Sequence, residues 1–395
     1  MLAAVSAREE GADVTVIEKN RFPGKKLNIT GKGRCNVTND CTVPEYLENV
    51  ISNPKFLLKA AYRFPPAKVM EFFENAGVPL KTERGRRVFP QSDKAQDITS
   101  CLQRLMSESG VRLVNGTAKA IDVSDGAVTG VRFTSPPGER TIGADAVILC
   151  AGGMSYPATG SDGSGFALAE KLGHTVVEPR PSLVPLVTEE SWPRTLTGLS
   201  LKNVNVSFAQ YGKTLFSEQG EMLFTHFGVS GPLVLSGSAH IKRFPCEMLI
   251  DMKPALAPET LDARIVSDFE EFRNRHFINS LDKLLPKAMI PVVASLSGID
   301  PEKQVNSVTR EERRRLVSLL KALPLTVTGT RPLSEAIVTA GGISVNEIDP
   351  STMQSKLVRG LYFAGEIIDV DCCTGGYNLQ TAFCTGRLAG ESAAT

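Results

Sequence analysis

The sequence predicts an α/β protein built on β-α-β units and interrupted by a β-rich and helical insertion. Three observations predict it. Helix formers over residues 3–10 stop at Gly11 and lead into the β-branched run Val14-Thr15-Val16-Ile17, which ends on Glu18. Two more apolar runs end in glycine: Ala144–Cys150 leads into Ala151-Gly152-Gly153, and Leu361–Ala364 leads into Gly365-Glu366. Between them the pattern breaks twice, into strand-like pieces among Gly and Pro over 181–255, then into charged helical stretches over 258–323.

Composition bounds the function. The 395 residues are 42% hydrophobic and 22% charged, ordinary globular usage that excludes wholesale disorder. Lys plus Arg is 44 against 43 Asp plus Glu, a net charge of +1. That balance argues against nonspecific nucleic-acid or membrane-surface partners. The start of the chain lacks the basic region of a secretory signal, and no apolar run approaches the roughly 20 residues of a membrane helix. Eight irregularly spaced Cys, with no C-x-x-C, read as reduced thiols of a cytoplasmic protein. The four His form no H-E-x-x-H, so no metal site is expected.

Taken in order, Val14–Ile17 reads as a buried strand, the second strand of a β-α-β unit. Residues 21–41 read as a long loop. Residues 44–76 hold two helical stretches split by Pro65-Pro66, and Ile98, Leu102, Leu105 and Met106 share one helical face that Gly110 ends. Val111–Val114, Thr117–Val123, Ala127–Thr134 and Arg140–Ile142 read as strands, with Asn115-Gly116 and Asp125-Gly126 as turns. Gly165–Leu172 and Tyr377–Ser392 read as helices.

Four segments carry chemistry. An acid at the end of the second strand of a dinucleotide-binding unit accepts hydrogen bonds from ribose hydroxyls, which makes Glu18 the first candidate. The matching G-x-G-x-x-G belongs about 20 residues earlier, and counting back from Glu18 runs off the chain. The first strand and phosphate loop are therefore expected before Met1, and without them the chain is expected to hold a dinucleotide more weakly. The second segment, Gly24–Asn36, combines glycines that admit a close ligand with cations that suit a pyrophosphate. The third is the loop after Ala151-Gly152-Gly153. The fourth is Gly375-Gly376 opening a helix, whose free N–H groups and dipole favour negative charge. This order, with a β-meander before the Ala-Gly-Gly strand, is that of two-domain FAD oxidoreductases.

The chain resembles the bacterial NAD(P)/FAD-dependent oxidoreductase family, aminoacetone oxidase-like and of the YhiN/BaiN type, whose relatives include a flavoprotein reducing 3-dehydro bile acids. The resemblance spans essentially the whole chain. It is carried by Asn28–Asn36, by Cys150–Gly153 with Tyr156–Gly163, by Glu221–Pro232, and by Gly375–Gln380. It implies a glutathione-reductase-type FAD domain over 1–185 and 335–395, interrupted by a β-barrel over 186–256 and a helical part over 257–334. Glu18 would hold the adenosine ribose, and Lys25, Lys26, Gly33, Arg34 and Cys35 would line the FAD groove. Gly152 and Gly153 would pass under the cofactor, Gly365 and Glu366 would lie along the ribityl and pyrophosphate, and Gly376, Tyr377 and Asn378 would back the isoalloxazine.

The expected activity is hydride exchange between a small organic substrate and flavin, in the manner of an aminoacetone oxidase or an enone or bile-acid reductase. NAD(P)H as a transient co-substrate, or O2, would complete the cycle. His226 is the acid–base candidate, because imidazole exchanges protons near neutral pH. Two other readings stand beside it: a thiol/disulfide oxidoreductase using Cys35 and Cys41, and a non-catalytic flavin-binding remnant.

Overall fold

The first helix, Leu2–Glu9, is small and apolar, and Leu2 through Ala7 are all buried. It packs along the closing helix, Tyr377–Ala393. The fit is close: a Cβ on Gly390 would lie 2.3 Å from the Ala3 carbonyl oxygen. The computed structural model describes residues 1–136 and 138–395. They form two units, Met1–Ser182 with Pro332–Thr395, and Leu183–Arg331.

The first unit is built around two parallel strand pairs. Thr15–Glu18 pairs with Arg112–Asn115, and Val147–Leu149 with Leu361–Phe363. The β-branched run predicted burial on both faces, but Thr15–Glu18 is half-buried throughout. Its one paired neighbour among the described residues is Arg112–Asn115, on one edge. The meander follows as predicted, with Thr117–Ser124, Ala127–Ser135 and Gly138–Gly143 antiparallel. Asp125 and Gly126, at φ +50 and +73, make its first turn. Asn115-Gly116 makes no turn. The chain passes through it from the parallel pair into the meander, and glycine is required because a Cβ would lie 2.6 Å from the Phe133 ring.

A small antiparallel sheet, Thr38–Asn39 with Arg87–Pro90 and Leu80–Glu83, completes this unit with helices over 43–75 and 95–108. On the Ala95–Glu108 helix, Ile98, Leu102 and Met106 are buried as their spacing predicts, and Leu105 is partly buried against the same core.

The second unit holds a closed six-stranded barrel. Its inward residues alternate: Val204, Val206 and Phe208 on one strand face Met248 and Ile250 on the next, all buried. Residues 257–334 are not all helical. The helices Pro258–Glu271, Ile290–Ser297 and Arg310–Lys321 are inserted between the fifth barrel strand, Cys246–Asp251, and the sixth, Leu323–Thr330. Leu323, Leu325 and Val327 alternate inward, which is a strand period hidden behind a strongly helical neighbour. That neighbour starts with a reciprocal cap between Thr309 and Glu312.

Candidate functional site

The first strand delivers Glu18 to a loop junction. Glu18 Oε1 accepts hydrogen bonds from the Asn20 backbone N–H at 2.8 Å and from Asn20 Nδ2 at 2.9 Å. Its second oxygen has no hydrogen-bond partner among the described residues, and the side chain is half-exposed. Asn20 Nδ2 also donates to the Thr159 carbonyl at 3.0 Å. Lys19 pairs with Asp162 at 2.7 Å. Burial works against Asp162 ionisation, but Lys19 and the Ser164 hydroxyl and N–H outweigh it and hold the carboxyl at about 2. Lys25 donates to the Ala158 carbonyl at 2.6 Å. The loop after the acid-ended strand therefore lies against the glycine-rich loop 152–164.

Three distant motifs meet at one carboxylate. Glu366 Oε2 accepts from Lys26 Nζ at 2.6 Å, and Glu366 Oε1 accepts from Ser155 Oγ at 2.9 Å and from the Thr339 N–H at 2.9 Å. Lys26 Nζ also reaches Ser155 Oγ at 2.7 Å. Thr339 Oγ1 accepts in turn from the N–H groups of Met154 and Ser155, at 2.8 and 3.1 Å. Gly153 is what allows this: a Cβ there would lie 2.4 Å from Thr339 Oγ1 and 3.2 Å from Glu366 Oε1. Gly152 takes φ +73, and a Cβ on it would meet Ser161 Oγ at 2.9 Å. Gly365, at φ +78, turns the chain so that Glu366 enters this cluster.

The closing helix opens on Gly376, at φ +100, with no side-chain cap and no acid in its first turn. A Cβ on Gly376 would lie 2.3 Å from the Thr38 carbonyl oxygen. Asn39 Nδ2 bridges the Gly85 and Gly375 carbonyls at 3.0 and 3.1 Å. Asn378 clasps the preceding turn: its Oδ1 accepts from the Cys372 N–H, and its Nδ2 donates to the Cys372 and Cys373 carbonyls. Tyr377 is buried, 6.4 Å from Tyr46 between ring centres. The Oδ1 atoms of Asn36 and Asn39 are buried with no hydrogen-bond partner.

Other predicted groups are placed differently. Arg34 is committed to Glu83 and Asp93 and lies 4.1 Å over the Phe89 ring, so it is not free for a pyrophosphate. Cys35 is fully buried, and desolvation pushes its thiol up to about 12, partly opposed by Thr30. It packs inside the core rather than lining a groove. Gly33 is exposed at φ +83, in a left-handed run with Gly31 and Lys32. Cys41, also a free thiol, is pushed up to about 11 by burial. Burial disfavours the thiolate form of both, which counts against a Cys35/Cys41 redox pair. His226 lies in the second unit, exposed in the turn after Lys213–Thr225, its ring 4.9 Å from that of Phe227. Among the described residues there is no His/Cys/Asp/Glu cluster able to hold a metal. Among the described residues no helix is long and apolar enough to cross a membrane.

Ser155, Thr339 and Asn39 were not anticipated. Ser155 lies between two quoted glycine motifs, which was a usable signal; Thr339 sits in an apolar strand and gave none. A surface cavity of about 320 Å³, lined by Arg63, Lys68, Glu71 and Arg387, lies apart from these motifs. Its cations are paired with Glu391, Glu71 and Glu9. The motif cluster fits a dinucleotide better. It offers a free carboxylate oxygen at an acid-ended strand, glycines where a Cβ would collide, orphaned amide oxygens and an uncapped helix start.

The chain is similar to known proteins over nearly its whole length. The chain is 30% identical over 398 residues to the 3-dehydro-bile acid delta(4,6)-reductase of Clostridium scindens, covering 99% of this chain and 95% of that protein. It is 30% identical over 389 residues to the ribosomal RNA dihydrouridine synthase of Escherichia coli, covering 97% and 92%. The solved 3-ketosteroid delta1-dehydrogenase of Sterolibacterium denitrificans shares the fold, with a TM-score of 0.52 at 15% identity over 100% of this chain and 97% of that one. The HI0933-like protein Rossmann domain model matches residues 1–392, and the chain belongs to that family.

Proposed function

We propose that this protein is an FAD-dependent oxidoreductase acting on a small organic substrate, with NAD(P)H or O2 as the second substrate. One observation carries the reading. Lys26, Ser155 and Glu366, from three separate cofactor-type motifs, meet within hydrogen-bond distance. The names of the two curated relatives, a reductase and a dihydrouridine synthase, support redox chemistry on an unsaturated organic group. FAD, when bound, supplies hydride transfer.

The chain's own residues do the holding. The free oxygen of Glu18 accepts from ribose hydroxyls. Lys26 and Glu366 neutralise each other and fix the Gly153 loop, so Gly152 and Gly153 present backbone without side chains. The closing helix starts at Gly376 with no side-chain cap, and its positive dipole end favours negative charge beside it. His226 is retained as the proton-exchanging candidate of the second unit.

The test is flavin content and Glu18→Ala. Protein purified from cells supplied with riboflavin should carry FAD, identified after denaturation by chromatography. Glu18→Ala should weaken FAD binding by about 1–3 kcal/mol, the range for a lost hydrogen bond to a charged group. Protein that neither carries nor takes up FAD would overturn the reading, and protein that binds FAD without turnover would be the non-catalytic flavin-binding remnant. Unchanged FAD affinity in the variant would remove Glu18 from the site.

A further inference from the structure

We propose that the hairpin between Leu80–Glu83 and Arg87–Pro90 receives an oxyanion of the substrate, a carboxylate or a phosphate, through Arg84 and Arg87. This rests on the oxidoreductase reading and adds the class of substrate: an organic anion.

The turn residues set the geometry. Glu83 and Arg87 face each other across the hairpin, and Gly85 and Arg86 take left-handed φ of +76 and +58. Arg84 through Arg87 are all exposed. Most of the nearby charge is already neutralised. Arg34 is held by Glu83 and Asp93, Lys81 by Asp93, and Arg86 by Glu45. Arg84 and Arg87 have no carboxylate partner among the described residues. Arg87 is nonetheless positioned: its Nε donates to the Arg84 carbonyl at 3.0 Å, and its guanidinium lies 5.8 Å from the Phe89 ring centre. Two exposed arginines without carboxylate partners on one short turn offer guanidinium forks of the kind that bind a carboxylate or phosphate.

Place in the fold ties them to the site. The Asn39 side-chain amide bridges Gly85 of this hairpin and Gly375 at the start of the closing helix. Gly85 and Gly375 are therefore separated by the span of one amide group. Asn39 is 2% exposed, so the bridge is buried while the arginines of the turn stay in solvent. With a net charge of only +1 over the chain, attraction of an anion here is local rather than a property of the whole molecule.

The experiment compares the parent protein with the double variant Arg84→Ala/Arg87→Ala, using two probes and one control. Calorimetry with cholate reads the carboxylate source, and anisotropy of a labelled short single-stranded RNA reads the phosphate source. Lys213→Glu changes an exposed cation on the barrel. At least one probe should bind the parent and lose roughly ten-fold or more in the double variant, with flavin-to-protein ratio and thermal midpoint unchanged. If RNA is that probe, the slope of log K against log salt should also shrink by about 1.4, roughly 0.7 per lost contact. Any of three results would overturn the proposal. Neither probe depends on the two arginines, Lys213→Glu weakens binding equally, or the double variant loses its flavin and so assigns the arginines to the cofactor. A parent without flavin defeats the oxidoreductase reading instead, and the probe titrations still report on the arginines.

Discussion

Gly376 is the position where a single methyl group tests the placement of the closing helix. In Gly376→Ala the new Cβ would lie 2.3 Å from the Thr38 carbonyl oxygen and 2.4 Å from its carbon. Thr38 has little room to retreat. It is fully buried, pairs with Val88 in the small sheet, and donates its hydroxyl to Gln380 Oε1 at 2.7 Å. The left-handed φ of +100 adds a second penalty for any L side chain. The conformational cost is about 1–2 kcal/mol and overpacking against backbone about 1–3, so the variant should lose about 2–5 kcal/mol. For a unit of this size that is a fall of roughly 5–15 °C in thermal midpoint. The assay uses two signals: far-ultraviolet circular dichroism for the whole chain, and fluorescence of Trp192, the single tryptophan, which packs 5.7 Å from Phe224 in the second unit. The Trp192 transition should stay within about 2 °C of the parent while an earlier transition appears in circular dichroism. The flavin-to-protein ratio should fall with it. Superimposable melts with full flavin content would refute the argument, because they would show that the strand carrying Thr38 yields freely.

Further perturbations address other parts of the first unit. Lys26→Met leaves Glu366 with Ser155 and Thr339 but no cation, and should cost about 1–3 kcal/mol of stability and lower flavin content; a variant matching the parent in both would dissolve the three-motif cluster. Iodoacetamide at neutral pH should leave Cys35 unmodified, its thiol being buried and pushed up to about 12, and mass spectrometry showing its rapid alkylation would restore a redox role. Burial lowers the His174 imidazole, against the pull of Glu347, so its neutral form is favoured in the fold. The stability it contributes is full above the unfolded value of about 6.5 and is lost as pH falls through the lower folded value. The midpoint of the parent should therefore drop more steeply than that of His174→Asn over that window, and parallel curves would mean that His174 is not the titrating group.

Much of the first unit was legible because its signals are local. Asp125-Gly126 carries its own turn conformation, and the spacing of Ile98, Leu102 and Met106 is a helix face whatever packs on it. Asn115-Gly116 misled for a physical reason: the same dipeptide serves a tight turn or a close approach, and the Phe133 ring decides which. The sixth barrel strand was hidden likewise. Leu323-Pro324-Leu325-Thr326-Val327 alternates cleanly, but it follows a charged helix with hardly a break, and only its pairing with Cys246–Ile250 on one side and Leu186–Thr188 on the other reveals the barrel closing there.

The site was legible as motifs but not as contacts. Glycines at 152, 153 and 376 could be singled out because each is required where backbone must approach something closely, and the structure shows what: Ser161, Thr339 and Thr38. Gly365 instead supplies the left-handed turn into Glu366. Charge was a poorer guide. Lys26 and Arg34 look alike in a basic loop, eight residues apart, yet one closes the cluster on Glu366 and the other is bound by Glu83 in the small antiparallel sheet and by Asp93 just after it. Which cation is spent and which is free depends on carboxylates far away in the chain, and sequence spacing does not carry that information. By the same logic Arg84 and Arg87, unremarkable in the sequence, gain significance only because the carboxylates around them are already taken.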